Sequence, residues 1–439
     1  MPELRAVVLA AGEGSRMWPL AENKPKHLLP VAGKPILSHV LQALAECSVR
    51  EVVVVIGFRG DLIRSALGDG NTFGLQISYL QQDKLTGTAS ALRLASSSVG
   101  KEPFLAVYGD LWINSSAVQA VLEKAHDCPR VIGLVRMKNP SDYGVVKVDG
   151  DRVRRIVEKP ARSRVEEGWV NTGIYALDAS VFEYVEKAPV SKRAEYELTS
   201  SLQRLLFEGK DVRAAVVARE DWLDVGRPWD LLEANERVLA KLQHRVKGTV
   251  EPGAVLKGPT WLEQDAVVKS GSYIEGPAFI GKGCRIGPNA RIRPYSSLGD
   301  GVIIGSYCEI KNSIVMRATR IPHLSYVGDS LIGENCNLGA GTITANIRFD
   351  AKILSLRVKG RLQSTGRKKL GVIMGDDVQT GINVSIMPGV RIGSGAWVAP
   401  GAVISSDIPS GHAIFVKHAL TTRRLKKPHR QGFHVRSSG

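Results

Sequence analysis

The sequence predicts an α/β chain in two parts. An amino-terminal sheet, mixed but mostly parallel and covered by helices, precedes a solenoid of six-residue repeats. Three observations predict it. Short apolar runs alternate with helix-like segments over residues 1–235. The period then changes: Val250, Leu256, Leu262, Val268, Ile274, Ile280, Ile286, Ile292, Leu298, Ile304 and Ile310 fall six apart without a miss. The first apolar run, Ala6 to Leu9, opens into a glycine-rich string, Ala10-Ala11-Gly12-Glu13-Gly14-Ser15-Arg16.

The strand candidates are Ala6–Leu9, Val52–Ile56, Ile77–Leu80, Phe104–Tyr108 and Val131–Val135, with Ile36–Ala45 and Thr88–Ala95 reading as helices between them. Ligands of such sheets sit at the carboxyl ends of strands, where the Gly12 loop and Asp110 both fall. Gly12 and Gly14 let backbone N–H groups approach phosphate oxygens, and Arg16 and Lys26 bring positive charge to the same loop. The string lacks the Lys-Ser/Thr ending of an ATPase loop and the third glycine of a dinucleotide fold.

Pro228 to Val246 reads as one helix, with proline at its start and Gly248 at its end. In the hexads that follow, small residues recur four places after each aliphatic one, as at Ala254, Thr260, Ala266 and Ser272. Met374, Thr380, Ile386, Ile392, Val398 and Ile404 resume the beat after an interruption. Such a period fits flat faces with a small residue at each corner. The boundaries are therefore 1–235, a linker over 236–249, repeats over 250–416 with an insertion at 346–371, and a tail over 417–439.

At 439 residues the chain exceeds one ordinary core. Its longest aliphatic run, Val52 to Ile56, is too short to cross a bilayer, and Met1-Pro2-Glu3 does not begin a signal peptide. Five scattered cysteines without Cys-x-x-Cys spacing fit free thiols in a reducing cytoplasm. The insertion and the tail supply 14 of the 16 net positive charges. That localisation argues for anionic small molecules over nucleic acid as partners.

The string from Leu9 through Pro25-Lys26 to Gly33-Lys34-Pro35 resembles the sugar-1-phosphate nucleotidylyltransferases, which implies a Rossmann-like nucleotidyltransferase domain. In that resemblance a sugar-1-phosphate oxygen attacks the α-phosphorus of UTP or dTTP, and pyrophosphate leaves. Ala11, Gly12, Gly14, Gln82, Gly87 and Thr88 match nucleotide-binding positions. An amide such as that of Gln82 can both donate to and accept from a pyrimidine edge. Gly144, Glu158, Lys159 and Asn171 match the sugar-phosphate pocket, with Lys159 on the attacking phosphate. Asp110 and Asp224 match the family's Mg²⁺ ligands. Arg16 and Lys26 would stabilise charge growing at the α-phosphate and on the leaving group.

The hexads resemble the left-handed parallel β-helix of hexapeptide-repeat acyltransferases. The string Ile321 to Asp329 breaks their beat. Together with Asn335 to Asn346 it resembles the acetyltransferase half of the bifunctional N-acetylglucosamine-1-phosphate uridyltransferases. The resemblance makes His323 the general base that deprotonates a sugar amine as it attacks acetyl-CoA. Tyr326, Asn337 and Asn346 match sugar-phosphate contacts, and Ala340 and Ser385 match acetyl-CoA positions. After Asn346 the chain departs from the bacterial pattern into the basic excursion, as in the archaeal branch. Lys352 is the residue singled out there for anionic substrate. A trimer, or a dimer of trimers, is expected by analogy.

Two rivals share these folds. One is a monofunctional glucose-1-phosphate or mannose-1-phosphate (GTP) nucleotidylyltransferase with a structural β-helix. The other is a non-catalytic subunit like those of translation-initiation exchange factors.

Overall fold

The computed structural model describes residues 4–159, 166–191, 194–417 and 419–424. Pro160, which follows Glu158-Lys159 of the expected sugar-phosphate pocket, and most of the basic tail lie outside them. The amino-terminal part is built on a nine-stranded sheet. Its first half runs Gln76–Gln81, Glu51–Ile56, Arg5–Ala10 and Phe104–Tyr108, all parallel. The near-continuous apolar runs of these strands mark a sheet covered on both faces. Beyond Phe104–Tyr108 the direction reverses. Glu167–Leu177 is antiparallel to it and to Val131–Lys138, so the parallel character belongs mainly to this first half.

Helix Ile36–Glu46 buries Leu37, Val40, Leu41 and Leu44 along one stripe against the sheet. A small antiparallel pair, Leu111–Ile113 with Trp222–Asp224, sits past the end of strand Phe104–Tyr108. It aligns Asp224 with Leu111, beside Asp110, and the Val225 N–H donates to the Asp110 carbonyl (3.1 Å).

Helix Pro228–Leu239 starts as expected, with proline in its first turn and the Asp230 carboxylate accepting from the Arg227 N–H (2.8 Å). It does not run to Val246. It stops at Leu239, and Arg245–Val246 forms a strand parallel to Thr260–Leu262. Pairing with the first coil, and the Arg245 guanidinium stacked over Trp261 (5.2 Å), outcompete a helical continuation there.

From Arg245 onward, three parallel sheets of eight, nine and eight strands wind into a three-faced prism. The hexad residues fill its axis, from Leu262 to Ile404, with Ala266, Ala278, Cys284 and Ala290 among the buried small residues of its core. Ala278 pairs with Ser296 one coil on, but Ile314 pairs with Leu331, a coil one residue shorter. Two successive coils each lose one residue, at the corners of Asn312 and Asp329, both at positive φ.

The amino-terminal domain covers one of the three faces. Ile314, Met316, Leu331 and Ile373 of that face pack with Met17, Leu20, Leu29, Trp112, Leu223 and Trp229 in one buried cluster. The excursion joins it. Its hairpin, Ser355–Val358 with Arg361–Ser364, follows Leu354, and Leu354, Val358 and Leu370 are buried in the same cluster. Its apolar half therefore wedges the two domains together. All five cysteines are free thiols.

Candidate functional sites

The first site gathers at the carboxyl end of the parallel half-sheet. The loop after Ala10 folds back over Lys26. Gly14 has φ 72°, and a side-chain carbon there would lie 2.9 Å from the Lys26 Cβ. Glycine is thus required both for the left-handed backbone and for the close approach. Lys26 Nζ donates to the Asp110 carboxylate. Arg16 lies beside Asp224 across Gly226, where an added carbon would be 3.0 Å from Arg16 Nη2 and 3.2 Å from Asp224 Oδ2.

The two buried carboxylates are displaced in opposite directions. Burial would raise Asp110, but the charges of Lys26 and Arg16 outweigh it and hold its carboxyl below the ordinary value. Burial and the Asp110 charge push Asp224 up, against the pull of Arg16 and Lys26. Beneath them His27 is fully buried. Burial first, then the neighbouring Lys26 charge, brings its imidazole down to about 3, so it is neutral. Its Nδ1 has no hydrogen-bond partner among the described residues.

Gln82 is buried, its amide donating to Ser90 Oγ (3.0 Å) and to the Gly87 carbonyl (3.3 Å). Thr88 Oγ1 accepts from the Leu198 N–H (3.0 Å). Around Gly144 the predicted pocket residues converge: an added carbon would meet Glu158 Oε2 at 3.0 Å and the Asn171 Cβ at 3.7 Å. Lys159 Nζ lies 4.0 Å from Glu158 Oε1. The sequence reading missed the hydroxyls that fix this pocket. Thr199 donates to Glu158 (3.1 Å), Asn171 donates to Tyr175 (2.5 Å), and Tyr175 donates to Tyr108 (3.2 Å). Thr199 and Tyr175 carry no motif, and a threonine or tyrosine mid-element reads as core; Tyr108, next to Gly109-Asp110 at its strand end, stood beside a metal-ligand candidate without being read as part of the pocket.

The second group lies along one edge of the prism. His323 ends strand Arg320–His323 and is exposed at the corner before Tyr326–Gly328. Its carbonyl accepts from the Gly341 N–H (3.3 Å), which puts Ala340 at the same corner one coil on. Tyr326 pairs with Ile343, and Ile343 with Ser385, so Ser385 is two coils along the same face. Asn337 pairs with Arg320, and both line an open cleft of about 440 Å³ with Asn335 and Gln379.

Asn346 stands at the next corner. It donates to the Tyr326 hydroxyl (3.3 Å) and to Asp329 (2.5 Å), which Lys311 and Asn312 also hold. Lys352 is exposed, and its backbone N–H donates to Asp350 (3.2 Å). The excursion is tied to both domains: Arg367 donates to Glu236 (2.5 Å), and the Arg357 carbonyl accepts from Arg391 of the β-helix (2.7 Å).

Comparison with known proteins places both domains in one lineage. Residues 5–241 match the family described as nucleotidyl transferase. Residues 274–381 match the GMPPB C-terminal domain, and 371–406 match the bacterial transferase hexapeptide (six repeats). The "Bifunctional protein GlmU" of Methanocaldococcus jannaschii is 42% identical over 96% of this chain and 100% of its own length. The "Bifunctional sugar-1-phosphate nucleotidylyltransferase/acetyltransferase" of Sulfurisphaera tokodaii is 38% identical over 93% of this chain and 99% of its own. The chain belongs to the bifunctional sugar-1-phosphate nucleotidylyltransferase/acetyltransferases.

The bifunctional enzyme thus carries nucleotidyltransferase and acetyltransferase activities. Its prism is the left-handed β-helix of the hexapeptide transferases. Membership removes the purely structural β-helix and the non-catalytic subunit as readings. The "Low-salt glycan biosynthesis nucleotidyltransferase Agl11" of Haloferax volcanii is also similar, at 35% identity over 77% of this chain and 94% of its own length. No helix among the described residues is long and apolar enough to cross a membrane.

Proposed function

We propose that the carboxyl-terminal half acetylates glucosamine-1-phosphate with acetyl-CoA. The amino-terminal half then joins N-acetylglucosamine-1-phosphate to UTP, giving UDP-N-acetylglucosamine and pyrophosphate. The observation that carries the reading is one chain holding two separate groups: the Arg16, Lys26, Asp110 and Asp224 cluster of the sheet domain, and the His323 edge of the β-helix, further along the chain.

In nucleotidyl transfer, Lys159 holds the attacking phosphate beside Glu158, and Gln82 reads the base edge of a pyrimidine. Arg16 and Lys26 face the α-phosphate and the departing pyrophosphate, where positioning and charge neutralisation do most of the catalysis. Asp110 and Asp224 supply hard oxygen donors of the kind Mg²⁺ takes together with phosphates. The fit rests on two buried carboxylates brought side by side by the Leu111–Asp224 pairing; burial and then the Asp110 charge push Asp224 up, a cost that a divalent cation would relieve. When bound, the ion would neutralise phosphate charge and align the triphosphate.

In acetyl transfer, His323 takes the proton from the sugar amine as the N–C bond forms and the C–S bond of the thioester breaks. Tyr326, Asn337 and Asn346 orient the sugar phosphate, with Ala340 and Ser385 along the acetyl-CoA track and Lys352 offering charge to a phosphate. The exposed Tyr307 and Leu324, at one corner of the prism, and Trp397, on an adjoining face, are apolar surface away from the amino-terminal domain, which supports assembly as a homotrimer or a dimer of trimers.

A substrate panel tests this. Glucosamine-1-phosphate with acetyl-CoA is followed by free thiol. N-acetylglucosamine-1-phosphate with UTP or dTTP and Mg²⁺ is followed by pyrophosphate. Both signals are expected, the first abolished in His323→Ala and the second in Asp110→Ala, each sparing the other. Pyrophosphate without thiol would sink the acetyl-transfer assignment.

A further inference from the structure

The loop that carries Arg16 at one end and Lys26 at the other is not held by its own domain alone. Midway, three side chains reach the β-helix. Trp18 lies under the Arg391 guanidinium (5.1 Å) and donates its indole N–H to Glu22 (2.7 Å). Glu22 in turn accepts from the Ser394 N–H (3.1 Å) and the Ser410 hydroxyl (2.5 Å). Lys24 is buried, its Nζ 2.5 Å from Glu334 Oε1 and 3.0 Å from Asp376 Oδ1.

Those acids are themselves fixed. Asp376 Oδ1 also accepts from the Glu334 N–H (2.9 Å), and Arg317 holds the second Glu334 oxygen (2.6 Å). Pro25, with φ −59°, is the single stiff joint between Lys24 and Lys26. A shift of the ammonium in its acidic socket is therefore passed to the neighbouring lysine with little slack.

We propose that Lys24 is a positioning residue for nucleotidyl transfer: seated between Glu334 and Asp376 of the β-helix, it sets where Lys26 meets Asp110. The β-helix is then a working part of the first site as well as the carrier of the second. The inference rests on the nucleotidyl-transfer reading above, in which Lys26 faces the phosphates.

The test uses the full-length protein and four variants: Lys24→Met, Lys24→Arg, Lys26→Ala, and the triple Lys24→Met, Glu334→Gln, Asp376→Asn. The triple variant neutralises both acids of the socket, including Asp376, which Lys24→Met alone would leave without its lysine while Glu334 keeps Arg317. Pyrophosphate release from UTP is resolved into kcat and KM, and thermal unfolding is recorded for each protein. Misplacing a reacting group by about 1 Å costs up to about 100-fold, so Lys24→Met and the triple variant are expected to lose about tenfold to 100-fold in kcat.

In both, the UTP KM should change little. The triple variant should unfold near the wild-type temperature, and Lys24→Arg should recover most of the lost kcat. A folded triple variant with wild-type kcat overturns the proposal. So does a Lys24→Met loss that tracks its unfolding temperature while the triple variant regains both. Wild-type kcat in Lys26→Ala would instead sink the site assignment, and this proposal with it.

Discussion

Asp110 and Asp224 sit on adjoining strand ends, yet their carboxyls move apart because each sees a different balance of the same charges. His27, buried near them, and His39, half-buried against the Val31 carbonyl, are both depressed by loss of solvent, to about 3 and about 4. For a base with a depressed folded pKa, the unfolded chain binds the proton first as pH falls. Stability is therefore full above the ordinary value of 6.5 and is lost as pH drops toward each folded value. Each such group adds a slope of about 1.4 kcal/mol per pH unit across its window. Chemical denaturation between pH 7 and about pH 4 should show a shallower acid limb in His39→Asn than in the wild type. Equal slopes would mean that His39 takes up its proton in the folded state.

Among the elements, the glycine loop makes the sharpest demand on sequence. Gly14→Ala would place a carbon against the Lys26 stem at positive φ, a strain of about 1–3 kcal/mol. Pyrophosphate release should fall at least about tenfold, since that strain is relieved only by moving Lys26, while thiol release stays intact. Unaltered nucleotidyl transfer in a folded Gly14→Ala protein would show that the loop has room to spare. Much of this element was legible because glycine, arginine and lysine at that spacing have few other uses. The hexads were legible because each flat face accepts one aliphatic residue. Two features were not. Ala240 to Val246 contains no helix breaker, so only the ladder with Trp261 and Leu262 ends the preceding helix. The contractions at Asn312 and Asp329 show in the sequence only as a break in the beat after Ile310, because an apolar residue stays on every face and nothing marks which corner has given up a residue. Lys24 was invisible for another reason: its partner Asp376 lies 352 residues away.

At the scale of the molecule, one apolar cluster serves both domains. Leu370 is fully buried in it, between Ile373 of the prism and the helix Pro228–Leu239 side of the sheet domain. Leu370→Ala should cost about 2–5 kcal/mol, the ordinary range for a buried leucine that leaves a cavity. Because the loss falls on the seam, calorimetry should resolve one cooperative transition into two, with the β-helix melting last. A single transition moved as a whole would place the weakness inside one domain. The excursion that supplies Leu370 read in the sequence as a run of charge. Its leucines and valine, spaced between the basic residues, are what the seam uses.

The seam also acts as a ruler. The amino-terminal domain touches the prism coil after coil, at Phe279 through Gly33, at Tyr295 and Ser297 through Asn235, at Asn312 through Glu236, at Glu334 and Asp376 through Lys24, and at Ser394 and Ser410 through Glu22. A free-standing prism can gain or lose a turn at little cost, because every turn is the same unit. Here each added turn would carry the upper contacts about 4.8 Å past their partners. The number of turns in this enzyme is fixed from outside, by the length of the domain lying against it.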